Sequence, residues 1–253
     1  MFISRSNRAV RFSLKTVRRR TASLRFRREV REVPYVPVFQ HAIGKWRPRW
    51  RGRIHGGAAA VTIPAGVILT WVTPSGLPKV AVLIYCLSLL ALFSTSAAYH
   101  LLTRSQRAQR LMRQLDHAMV YVFIAGTYTP VCLLALPRSI GITFLVAIWC
   151  AALFGIVLKI MWRAHKTSGA MYLVIGWAAL VILPWAHHLA GFTSLSLFFA
   201  GGVVYTVGAI LFYLQRPRLK PLVFGYHEVW HVLTVVAVAL QFAGVGVLIA
   251  RVG

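Results

Sequence analysis

Two histidines one helical turn apart, His227 and His231, lie in the stretch FGYHEVWH, and His100 follows Ser96 by the same four-residue step in SAAYH. Residues four apart share one face of a helix, so each pair points its side chains in one direction. Two imidazoles on one face can grip a metal ion. A third from another helix leaves one corner of a tetrahedral zinc site open to water. No cysteine joins the set, and nitrogen donors of intermediate softness suit zinc better than calcium or magnesium. Water on such a zinc ionises near pH ~7 and can attack an acyl carbonyl. Asp116 then has two available duties, general base toward that water or hydrogen-bond partner of a ligand imidazole.

Each residue also has a plainer reading. A histidine near a helix end commonly serves as an interfacial hydrogen-bonding group, Asp116 can neutralise Arg104, Arg107, Arg110 and Arg113, and Ser96 can bond a carbonyl of its own helix. His55, just after Arg53, is an intermediate case that can support a ligand from outside. His117, His165, His187 and His188 are read as interfacial. The run HEVWH at 227–231 also fits the H-E-x-x-H zinc-protease pattern, in which Glu228 would activate water, although no acid follows it in the chain to complete the ligand set.

What must position these residues is a set of membrane helices. Of 253 residues, 58% are hydrophobic and only 13% charged, and four acids face 29 Lys and Arg. Soluble proteins carry about 25% charged residues, and a mean hydropathy of +0.68 excludes a soluble nucleic-acid-binding or disordered chain. Cys86, Cys132 and Cys150 lack CxxC spacing and sit in apolar runs, where they read as small fillers. About 20 apolar residues cross a bilayer, and seven stretches qualify: 56–73, 80–102, 116–136, 140–158, 171–189, 195–214 and 229–250. The expected architecture is an all-α, seven-transmembrane helix bundle with residues 54–253 as the membrane domain.

Residues 1–53 form a basic segment read as a largely disordered cytoplasmic tail, drawn to anionic headgroups at roughly 1 kcal/mol per basic residue. Tyr35 to Ile43 and the Trp46 to Arg53 cluster would lie along the membrane surface. No signal peptide and no specific nucleic-acid partner is expected. With alternating crossings, the tail and the loops 103–115, 159–169 and 215–226 hold 26 basic residues, against Lys79, Arg138 and Arg251 on the other side. Positive charge stays inside, so the amino terminus is expected in the cytoplasm and the carboxyl terminus outside. His100, Asp116, His227, Glu228 and His231 then share the cytoplasmic depth. Ionisable groups in hydrocarbon cost roughly 2.5–3.5 kcal/mol each on insertion scales and mark function.

SAAYH (96–100), LDHAMVYVFIAGTYTP (115–130), FGYHEVWH (224–231) and RGRIHGGAAAV (51–61) together resemble the hemolysin III family, the bacterial branch of the progestin and adipoQ receptor family. The resemblance covers roughly residues 47–250. It implies a seven-helix bundle in the cell membrane, a bacterial inner membrane by that branch, and an intramembrane zinc on His100, His227 and His231 with Ser96 and Asp116 beside it. Glu228 and His55 are placed as supporting residues. Kinship with alkaline ceramidases implies hydrolysis of a lipid amide or ester, while the bacterial names imply haemolysis or a role in membrane homeostasis. The alternatives are a sensor with structural zinc, a pore-former, and the intramembrane protease. No span carries a continuous polar face to line a pore, and nothing in the sequence speaks to oligomeric state.

Overall fold

The computed structural model describes residues 48–161, 167–217, 219–220 and 223–252. The tail and surface readings of residues 1–47 lie outside them. In hydrocarbon a backbone must satisfy its own hydrogen bonds, which leaves helices as the answer for long apolar runs. Among the described residues seven helices follow: α1 Arg53–Val72, α2 Leu77–Leu101, α3 Gln106–Leu134, α4 Arg138–Met161, α5 Thr167–Trp177, α6 Ala179–Tyr213 and α7 Tyr226–Val252. Among the described residues the only pairing of extended chain is an isolated bridge, Lys220 with Phe224. Six helical segments among the described residues are long and apolar enough to cross a membrane.

One of the six, Ala170–Tyr213, has 44 residues. Straight, it would run about 66 Å, twice a hydrocarbon core of about 30 Å. It is not straight: Gly191 has φ 73° and ψ 163°, a conformation that breaks the helix and that side chains disfavour. Trp177 Nε1 donates to Thr206 Oγ1 at 3.0 Å, and the Trp177 and Phe199 rings lie 5.5 Å apart. Trp177 and Thr206 flank Gly191 at nearly equal sequence distance, so the chain doubles back there. The stretches 171–189 and 195–214 expected from hydropathy are the two arms. Trp177 cross-links these arms, while Trp71 is 82% exposed. A Cβ at Gly191 would fall 2.5 Å from Arg251 Cζ. Gly191→Ala is therefore expected to cost about 1–3 kcal/mol in backbone strain, measurable as a lower midpoint of thermal unfolding in detergent; an unchanged midpoint would show that the turn does not need glycine.

A second departure concerns residues 103–115, expected as a loop. Ser105 accepts from Ala108 N at 3.2 Å and starts α3 at Gln106, so Asp116 lies in the third turn and not at the helix start. Hydropathy ends a span where arginines begin, but Gln, Arg, Leu and Met are good helix formers and the cap carries the helix on past the apolar zone.

Large apolar side chains such as Val61, Trp71, Val174 and Phe192 face outward, a surface suited to lipid. Inside, Tyr85, Leu89, Phe93, Val238 and Val245 join α2 to α7, and Tyr121, Ala125, Cys132, Ala152 and Ala186 join α3 to α4 and α6. After its turn, α6 runs antiparallel to α7: Ser194 Oγ donates to Gly244 O at 2.8 Å, Gly201 abuts Ala237, and Gly208 abuts Trp230. Small residues permit this close approach.

Candidate metal centre

Three helix ends converge. His55 lies in the first turn of α1, His100 in the last turn of α2, and His227 and His231 on the first two turns of α7. Gly52, with φ 81°, permits the approach of α1 to α2, because a Cβ there would fall 2.7 Å from His100 Cβ.

Donor nitrogens of His100, His227 and His231 all lie within 4.8 Å of one another. His227 Nε2 and His100 Nε2 are 3.3 Å apart, with their rings perpendicular. Two nitrogens bound to one tetrahedral zinc at 2.0–2.1 Å are also separated by about 3.3 Å. His231 Nε2 is buried and has no hydrogen-bond partner, a costly state for a polar atom unless something binds it. On spacing, on the orphaned nitrogen and on donor chemistry, these residues fit zinc.

His55 does not belong to that trio. Its ring stands edge-on to His231, with His231 Nδ1 2.9 Å from both of its nitrogens. Ser96, one turn before His100, is buried, and its hydroxyl lies beside the Asp116 carboxylate. The carboxylate therefore neighbours the helical turn that ends at His100. Tyr172 and Tyr205 also lie close enough to Asp116 to feel its charge. Both tyrosines line an apolar cavity of about 160 Å³ between α3, α5 and α6, with Phe123, Tyr128, Leu183 and Phe198 among its walls.

Glu228 is fully buried. Its Oε1 accepts from Arg51 Nε at 2.7 Å and its Oε2 from Gly225 N at 2.8 Å. The second bond caps the start of α7, where a carboxylate also meets the positive end of the helix dipole. With both oxygens engaged, Glu228 serves as a clamp between α7 and the approach to α1, a role opposed to activating water. Sequence reasoning missed Arg51, which it placed with the basic cluster along the membrane surface. The signal was present in Glu228 itself, since an acid in hydrocarbon requires a cation at its own depth. Arg51→Met leaves that carboxylate buried and unpaired, and is expected to cost about 3–5 kcal/mol. Thermal unfolding in detergent checks this, and adding Glu228→Gln must recover much of the loss; no recovery would show that the pair is not the cause.

Comparison with known proteins identifies the family. A family model described as "Haemolysin-III related" matches residues 44–242. "Hemolysin-3" of Bacillus cereus is 36% identical over 194 residues, 74% of this chain and 85% of the relative. A "Hemolysin-3 homolog" of Bacillus subtilis (strain 168) is 36% identical over 183 residues, 70% and 82% of the two chains. A more distant relative, a heptahelical transmembrane protein of Oryza sativa subsp. japonica, is 28% identical over 196 residues, 69% and 84%.

Proposed function

The chain belongs to the haemolysin-III related family of multi-pass membrane proteins, and from that premise we propose that it is a zinc-dependent hydrolase of a lipid amide or ester, working at the cytoplasmic leaflet. The observation that carries this reading is the convergence of three imidazoles around an unpartnered, buried His231 Nε2. Seven crossings are supported by the doubling back at Gly191, which divides one of the six long segments into two arms of about 20 residues each, each near the bilayer thickness. The excess of basic residues beside the starts of α1 and α7 and the end of α2 supports an inside amino terminus, an outside carboxyl terminus and a plasma-membrane location.

Zinc on His100, His227 and His231 would supply Lewis acidity toward an acyl carbonyl and toward water. Asp116 takes the proton that water gives up and passes it to the leaving amine or alcohol, with Ser96 holding the carboxylate in place. The apolar cavity beside Tyr172 and Tyr205 accommodates the acyl chain. Binding of that chain pays for orienting the scissile bond at the polar end.

The test is turnover of labelled ceramide-like lipids by purified protein in liposomes. Hydrolysis that stops with a chelator and returns with zinc supports the enzyme. Retained zinc without turnover on amide or ester lipids would overturn it in favour of a sensor with structural metal, and zinc-independent leakage of the liposomes would favour a pore.

A further inference from the structure

We propose that His55 is the positioning residue of His231, accepting a hydrogen bond from its Nδ1–H and so fixing the tautomer and ring orientation that present Nε2 to the metal. The proposal rests on the zinc reading above. A neutral imidazole has one N–H and one lone pair. If Nε2 gives its lone pair to a metal, the proton must reside on Nδ1, and a buried N–H requires an acceptor. His55 supplies one: both of its nitrogens lie 2.9 Å from His231 Nδ1, and the rings meet at 81°.

The acceptor is held from several sides. His55 is 4% exposed and packs against Phe93 of α2, with ring centroids 5.0 Å apart. Just before it, Arg51 pairs with Glu228 and Trp50 N donates to Val223 O at 3.4 Å, tying the entry of α1 to the segment leading into α7. Ligand histidines usually donate to a carboxylate or a carbonyl. Here Glu228 is engaged by Arg51 and Gly225, and the group facing His231 Nδ1 is His55, so an imidazole takes the part. A neutral partner adds no negative charge to the ligand, which leaves the ion more electrophilic than a carboxylate partner would.

The experiment measures zinc affinity by chelator competition in the purified full-length protein, its His55→Asn, His55→Phe and His55→Leu variants, and His100→Ala. Asparagine keeps an acceptor, whereas phenylalanine and leucine keep only bulk. His55→Phe and His55→Leu are expected to weaken zinc about 10–100-fold, and His55→Asn no more than about threefold, with the visible absorption of the cobalt-substituted protein unchanged in band position. Equal losses in the Asn and Phe variants would overturn the proposal, because packing would then explain both. A loss in His55→Asn as deep as in His100→Ala would overturn it too, as the mark of a direct ligand. Zinc held by the parent and unaffected in His55→Phe would remove this inference alone; a parent that binds no zinc would remove the underlying reading with it.

Discussion

Protein carrying His231→Ala is expected to purify with less than about a tenth of a zinc per chain, where the parent holds about one. The loss must exceed the 10–100-fold in affinity that removing a ligand's hydrogen-bonding partner costs, since here a ligand itself disappears. What remains would be His100 and His227, two nitrogens on different helices. The same result is expected of His227→Ala, measured by elemental analysis of the purified protein. His187 and His188 provide the control: they also stack, with ring centroids 3.7 Å apart, but they are exposed and fall outside the converging trio. Replacing both by alanine should leave zinc content unchanged. Equal zinc in His231→Ala and parent would dismiss the centre.

The second large effect separates chemistry from binding. Asp116→Asn keeps the shape of the side chain but cannot accept a proton at neutral pH, so turnover of a ceramide-like lipid is expected to fall about 10²–10⁴-fold, the usual contribution of a general base. Zinc should remain close to one per chain, because Asp116 lies outside the three-histidine set. Ser96→Ala, which removes the hydroxyl beside that carboxylate, should cost less, about 10–100-fold. Parallel loss of zinc and activity in Asp116→Asn would reassign the residue to holding the metal.

Much of this was legible in the chain because hydrocarbon is an unforgiving solvent. It makes apolar length an indicator of helices and makes every ionisable residue conspicuous, so His100, His227 and His231 stood out by depth and spacing before any coordinates. Two features were hidden for identifiable reasons. The start of α3 was obscured because hydropathy reports where lipid ends, whereas Ser105 and helix-forming arginines continue the helix into water. The clamp of Arg51 on Glu228 spans 177 residues of sequence, and no local pattern distinguishes Arg51 from the arginines around it. The spacing rule marked His227 with His231 but could not say what His231 Nδ1 would face, because His55 comes to it from the opposite end of the chain.

That the trio draws on both an early helix and the last one has a consequence for biosynthesis. A ribosome that has released only α1 to α6 has delivered one of the three imidazoles, and the other two emerge with the final segment. An ion held by the trio would then join α2 to α7, two helices made at different times. Chains cut short before Tyr226 would insert as apolar rods yet lack two of the three imidazoles.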